Sequence, residues 1–168
     1  CDRIIKSGLK IIWRCILYPY KVDEELVRKM AKAGCTEISL GCESGSQEML
    51  RRFNKRFTPD HVRQVAERIK DQGIQQMGFL LLGGPGETKK TVRQSLSFMD
   101  SLNLEAVKVT MGIRIYPYTN LSRIALREGG IRSEDELIFP KFYMVRSLED
   151  WLRKTVAEWM AERSNWMS

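Results

Sequence analysis

Phe79 to Leu82, an unbroken apolar run, empties into Gly83-Gly84-Pro85-Gly86, and Thr88 follows after Glu87. No other stretch limits the fold of this chain as tightly. A run so short and so apolar reads as a strand buried on both faces, as in a parallel sheet covered by helices. Thr88 is placed to cap a helix whose apolar positions are Val92, Leu96, Met99 and Leu102. The unit is therefore a strand, a Gly-rich loop and a helix. At the carboxyl end of a parallel strand such loops bind ligands, because glycine lets backbone N–H groups come close. The same residues would equally make a tight turn that binds nothing.

The unit repeats along the chain. Ile4 to Leu9 reads as the tail of a helix stopped by Gly8, and Lys10 to Tyr18 as a strand closed by Pro19. Asp23 is expected to cap a helix with Glu24 and Glu25 in its first turn and Gly34 at its end. Thr36 to Cys42 is the next strand, residues 45–53 a short helix, and Thr58-Pro59 the opening of a helix that Gly73 stops. After the central unit, Ala106 to Tyr116 reads as one strand, Leu121 to Glu128 as a short helix, and Ile131 to Arg146 as irregular. A last amphipathic helix covers about Leu148 to Arg163, and its stripe of Trp151, Leu152, Val156 and Trp159 is expected to pack on the sheet.

Alternating strands and helices mean a parallel sheet with helices outside it, joined by right-handed crossovers. The expected fold class is α/β, a partial TIM-like (β/α) barrel over residues 1–145, with residues 146–168 forming a carboxyl-terminal amphipathic helix packed on it. Four strands do not close a barrel and leave apolar edges. With Cys1 in place of an initiator Met, further strands are expected upstream.

Composition narrows the partners. The chain has 168 residues, 28 Lys plus Arg against 21 Asp plus Glu, and a net charge of +7. That balance favours anionic ligands, whether a nucleic acid or a small carboxylate or phosphate. The one dense basic cluster is Arg51, Arg52, Lys55 and Arg56. Cys15, Cys35 and Cys42 sit in or beside apolar strands, without C-x-x-C spacing, and read as buried thiols of a reducing compartment, the cytoplasm. No run reaches membrane-spanning length.

The loops at the strand carboxyl ends carry the candidate chemistry. Glu43 follows an apolar strand, where its carboxylate either accepts hydrogen bonds from a pair of ribose hydroxyls or caps the helix at 45–53, with Ser44 sharing that work. Lys55 and Arg56 either reach back to a ligand carboxylate or face water. Tyr116 and Tyr118 either stack on a flat ring or pack under the last helix. Four such loops converge on one face of the sheet.

Leu40-Gly41-Cys42-Glu43-Ser44-Gly45, then Leu50 and Asn54-Lys55, then Leu82 to Thr88 resemble, in order and spacing, the second half of the core domain of radical S-adenosylmethionine (radical SAM) enzymes. Gly83 to Thr88 is similar to the Gly-x-Pro-Gly-Glu-Thr signature after the fifth strand of that family. Met111 to Thr119 resembles its sixth strand, with Tyr118 where glycine is common. Pro140 to Tyr143 resembles members that carry an upstream cobalamin-binding domain.

The resemblance, over residues 10 to 145, implies the carboxyl-terminal portion of a six-unit partial barrel. It also implies a [4Fe–4S] cluster on a Cys-x-x-x-Cys-x-x-Cys motif, reductive cleavage of S-adenosylmethionine to a 5′-deoxyadenosyl radical, and hydrogen abstraction from a substrate. By the resemblance Glu43 and Ser44 lie near the ribose and methionyl portion, and Lys55 pairs with the methionyl carboxylate. Gly83 and Gly84 let the backbone approach the adenine, which Tyr116 flanks. The three-cysteine motif does not occur in this sequence. The cluster ligands are thus expected in the upstream half of the same polypeptide, and this chain alone is expected to be inactive. The rival expectation is a non-catalytic basic α/β module that binds RNA or a phosphate ligand.

Overall fold

The computed structural model describes residues 1–168, and its elements alternate as the punctuation of the sequence predicts. Helix α1 (Asp2–Ser7) leads to strand β1 (Trp13–Leu17), then α2 (Glu24–Lys32), β2 (Cys35–Glu43), α3 (Gln47–Arg52), α4 (Pro59–Asp71), β3 (Gln75–Leu82), α5 (Lys89–Ser101) and β4 (Ala106–Met111). The helix starts follow from local hydrogen bonding. The Asp23 carboxylate accepts the Leu26 N–H, and Thr88 forms a reciprocal capping box with Thr91. Thr58 does the same with His61, whose Nδ1 accepts the Thr58 N–H at 3.2 Å. That accounts for the lone histidine of the chain.

Strands β1, β2, β3 and β4 lie side by side in sequence order, all parallel. Each crossover thus steps one strand in the same direction, the progression of a barrel wall, and there is no reversal of order as in a doubly wound sheet. Ile38, Leu40, Leu80, Leu82, Val107 and Val109 of the sheet share one buried core with Val27 of α2, Val65 and Ile69 of α4, and Val92 and Leu96 of α5. The helices therefore cover one face of the sheet.

The other face is open, and here the structure corrects the sequence reading. In β3 Leu80 and Leu82 are buried but Phe79 and Leu81 only partly so. The strand is dry on one side, not two, because nothing packs over its second side. On β1 the same open face leaves Ile16 77% exposed.

Three further differences lie in the last third of the chain. The strand expected over residues 106–116 breaks at Gly112, where φ is +89° and the N–H turns to the Leu82 carbonyl at 2.8 Å. Beyond the break, β5 (Ile113–Arg114) leads to α6 (Asn120–Arg127) and pairs antiparallel with β6 (Phe142–Tyr143). The stretch expected to be irregular thus holds a strand and the short 3₁₀ turns Glu134–Ile138 and Arg146–Leu148. This lobe has its own small core of Ile115, Ala125, Ile131 and Tyr143.

Helix α7 (Glu149–Ala161) places Leu152 and Val156 in the main core. It is followed by β7 (Trp166–Met167), which adds parallel to β4 as a fifth strand where four were expected. Its addition depends on Asn165, whose carbonyl accepts the Val107 N–H at 2.8 Å and whose side-chain amide donates to the Leu104 carbonyl at 3.0 Å. The Arg163 guanidinium lies 4.0 Å from the Trp159 ring centroid and pairs with Asp100 at 2.8 Å, which fastens the end of α7 to α5. No helix is long and apolar enough to cross a membrane.

Candidate functional site

At the carboxyl ends of β2 and β3 the open face deepens into a cleft of about 740 Å³, walled on the far side by Ile113 and the first turns of α6. That is the size range of small-molecule sites. Glu43 and Lys55 bring charge to it, Arg52, Phe53 and Asn54 line one side, and Leu81 and Pro85 form its floor and lip.

Glu43 is presented by an unusual piece of backbone. The β2–β3 ladder loses register between Leu40 and Glu43. Glu43 has φ +62°, and the Ser44 N–H bonds back to the Cys42 carbonyl at 2.7 Å. A bond spanning two residues about a left-handed centre is the rare, strained form of the γ-turn. The turn aims the Glu43 carboxylate along the cleft, where its Oε1 accepts a hydrogen bond from Lys55 Nζ at 2.8 Å. Their side chains are 23% and 24% exposed, so the ion pair is neither buried nor bathed in water. Lys55 Nζ also lies 6.0 Å from the Tyr18 ring, and the Tyr18 hydroxyl accepts the Arg56 N–H at 3.0 Å. The loop after β1 is thereby tied to the loop after α3. The two readings of Glu43 are separated by this geometry. Ser46, not Glu43, occupies the N-cap of α3, and no side chain bonds there.

The other singled-out residues fall into two groups. Ser44 is buried, and its hydroxyl meets the hydroxyl of Ser95 at 2.8 Å, away from the cleft. The space beside Gly83 (φ +89°) is filled by protein, since an added Cβ would sit 2.3 Å from Met144 Sδ. At Gly84 it would sit 2.6 Å from a Phe53 ring carbon and 2.7 Å from Ile113 Cδ1. Both glycines thus admit close packing of neighbouring side chains. Beneath them Glu87, 5% exposed, accepts the Gly83 N–H at 3.1 Å and the Thr91 hydroxyl at 2.7 Å. Burial raises its pKa, with the bonds from Thr91, Gly83 and Gly84 opposing the shift.

Tyr116 and Tyr118 are exposed, not packed under α7. The Arg114 guanidinium stacks on Tyr116 at 4.9 Å. Tyr118 has φ +61°, a region a bulky residue enters at a cost and glycine enters freely. Tyr118→Gly should therefore stabilise the chain by about 1 kcal/mol, read as a higher urea midpoint with an unchanged slope.

Sequence reasoning overlooked the α6 wall, Leu121 and Ile124, and the contributions of Arg52 and Phe53. The basic cluster was the available signal for Arg52. Nothing in the sequence marks Ile124, because its place on the cleft depends on the lobe built by the β5–β6 pair.

The family model of the radical SAM superfamily matches residues 2–99, more than half of the chain and all of it through α4, β3 and the greater part of α5. The chain belongs to the radical SAM superfamily. Its relatives include an uncharacterized methyltransferase of Pyrococcus horikoshii, 27% identical over 124 residues, a match covering 74% of this chain and 27% of that protein. The tryptophan 2-C-methyltransferase of Streptomyces laurentii is 28% identical over 122 residues, covering 68% of this chain and 20% of the relative. Among solved structures, the radical S-adenosylmethionine methyltransferase TsrM of Kitasatospora setae, with cobalamin and a [4Fe–4S] cluster bound, superposes with a TM-score of 0.66 at 25% identity, over 77% of this chain and 27% of TsrM. The cobalamin-dependent radical SAM enzyme OxsB shares the fold over 96% of this chain and 30% of its own, at a TM-score of 0.69 and 16% identity. This radical SAM chain thus spans about a quarter of the length of the curated relatives it matches.

The residues of this chain do not fit a [4Fe–4S] cluster. No group of three His, Cys, Asp or Glu side chains is arranged to hold a metal. Cys35 and Cys42 are buried and Cys15 partly so, and burial pushes the Cys35 thiol up to about 11 and raises Cys42 and Cys15 as well. The cleft does fit part of an S-adenosylmethionine, since it combines apolar walls with the Glu43 carboxylate and the cations of Lys55 and Arg52.

Proposed function

We propose that this chain is the carboxyl-terminal portion of the core of a radical SAM iron–sulfur enzyme, and that its cleft holds the ribose and methionyl part of S-adenosylmethionine. The observation that carries this reading is the Glu43–Lys55 pair at 2.8 Å, set on a strained turn at the carboxyl edge of a parallel sheet. Two charges poised together can each take a ligand group of opposite character. The Glu43 carboxylate accepts hydrogen bonds from vicinal ribose hydroxyls, and the Lys55 ammonium turns to the methionyl carboxylate. Tyr116, two residues beyond β5, flanks the adenine, and Gly83 and Gly84 keep the backbone of the β3 loop close to the side chains packed behind it. S-adenosylmethionine, when bound beside a reducing cluster, supplies the 5′-deoxyadenosyl radical that abstracts hydrogen from a substrate. The cysteines for that cluster belong to the upstream half of the same polypeptide, and so does a cobalamin domain like those of the solved relatives. The short coverage of these relatives and the lack in this chain of three side chains grouped to hold a metal support this division of labour. The setting is cytoplasmic, with no membrane partner. The domain division falls near residue 146, ahead of α7.

The same geometry weakens the rival reading of a basic RNA- or phosphate-binding module. Arg52 is paired with Glu48 at 2.9 Å and Lys55 with Glu43, so half of the basic cluster is neutralised within the chain.

The test is S-adenosylmethionine affinity in the full-length protein with its cluster reconstituted. Glu43→Ala should raise the Kd about tenfold to a hundredfold, the worth of charge-assisted hydrogen bonds to two hydroxyls. An unchanged Kd would remove Glu43 from the ligand site.

A further inference from the structure

Glu43 cannot hold its conformation unaided. A left-handed γ-turn at a non-glycine residue persists only where its surroundings over-determine it. The surroundings here come from α5, a helix that begins 46 residues later in the chain. Ser95 is 0% exposed, and its hydroxyl oxygen accepts the Gly45 N–H at 3.0 Å. It also meets the Ser44 hydroxyl at 2.8 Å, and Ser44 Oγ in turn accepts the Ser46 N–H at 3.1 Å. Gly45 lies so close to α5 that an added Cβ would stand 2.9 Å from the Ser95 Cα. The two residues after Glu43 are therefore pinned to one helix position, Ser44 by a buried hydroxyl–hydroxyl bond and Gly45 by a partly buried backbone one.

One turn earlier on the same helix face, the Thr91 hydroxyl donates to Glu87, which holds Gly83. Helix α5 thus carries two buried hydroxyls four residues apart, one for each loop of the cleft.

We infer that Ser95 is a positioning residue for the ligand site: it locks the strained turn that aims the Glu43 carboxylate into the cleft, and so sets S-adenosylmethionine affinity without touching the ligand. The inference rests on the reading of Glu43 as the ligand carboxylate. Without Ser95, the Gly45 N–H and the Ser44 hydroxyl lose their shared partner, and the turn is free to relax to negative φ. Relaxation moves the Glu43 side chain off its present direction.

The experiment is a double-mutant cycle read as S-adenosylmethionine Kd by equilibrium dialysis on the full-length, cluster-reconstituted protein. Ser95→Ala should raise the Kd about tenfold, the scale set by the strain it releases. In a Glu43→Ala background it should change the Kd no further, because the carboxylate it positions is gone. Ser95→Cys, a near-isostere with a weaker donor and acceptor, should fall between Ser95→Ala and the parent, and it stands in if the alanine variant does not fold. A Glu43→Ala loss with no Ser95→Ala loss overturns the inference and leaves the function standing. Losses that multiply in the double variant also overturn it, since Ser95 would then act by another route. No loss from Glu43→Ala overturns the ligand reading itself.

Discussion

Glu87→Ala is expected to destabilise the 168-residue chain by about 2–5 kcal/mol, enough to consume much of the stability of a domain this size. The Glu87 carboxylate is the partner of the buried Gly83 N–H and of the Thr91 hydroxyl, and it also bonds the Gly84 N–H. Alanine leaves those donors in a dry site with no replacement. Glu87→Gln should cost far less, since its carbonyl can face Gly83 while its amide faces Thr91, whose oxygen can accept. The comparison also has a pH signature. Burial raises the Glu87 pKa in the folded chain above its unfolded value. Its contribution is therefore fully present below the unfolded value and falls as pH rises through the folded one. Urea midpoints of the parent, relative to Glu87→Gln, should decline across that window. A parent that instead gains on the glutamine variant with rising pH would mean that the three hydrogen bonds outweigh the cost of burial.

Gly45→Ala should do comparable damage by a different route. Gly45 has no left-handed φ, so an alanine there meets no local strain. What it meets is α5, with Phe98 Cβ at 2.3 Å and the backbone Cα of Ser95 at 2.9 Å. Both atoms are fixed to the helix backbone, which in a packed core cannot move without opening the contacts on its far side. The expected cost is about 3 kcal/mol, at the upper end for overpacking. Phe98→Ala in the same chain should recover only part of it, because it removes the ring but keeps the residue-98 Cβ at 2.3 Å and leaves the Ser95 contact. Full recovery in the double variant would show that the Phe98 ring alone sets the spacing between the β2 loop and α5.

Much of this architecture is written locally. Asp23, Thr58 and Thr88 each cap the helix their spacing promised, because a cap is a contract between residues three apart. Gly8 likewise ends α1 in the left-handed conformation. What the sequence withheld depends on distance or brevity. Trp166 and Met167 form a strand too short to show any periodicity, and it exists only because Asn165 meets Leu104 and Val107. The break at Gly112 looks, in sequence, like a glycine inside a β-branched run. Phe79 and Leu81 are as apolar as Leu80 and Leu82, so hydropathy alone could not say which pair faces the helices.

The site divides in the same way. Glu43 and Lys55 stood out as residue types in loops, but their contact at 2.8 Å needed the turn that joins them. The left-handed φ of Glu43 left no trace, since the residue carrying it is not glycine. Tyr118 was the mirror case: the family's common glycine gave notice of a backbone shape that the tyrosine keeps, with φ +61°. Ser95 is an ordinary serine on an amphipathic helix until Ser44 is brought against it.

The one-sided covering of the sheet bears on how such a chain can change over generations. Residues that alternate along β2, β3 and β4 answer to two masters. Ile38, Leu80 and Val109 face the helices and are bound by volume, whereas Ser39, Phe79 and Thr110 face the open side and are only partly enclosed. Substitutions in the second set meet few fixed neighbours within this chain, so they can accumulate without disturbing the packed layer and at little risk to its folding.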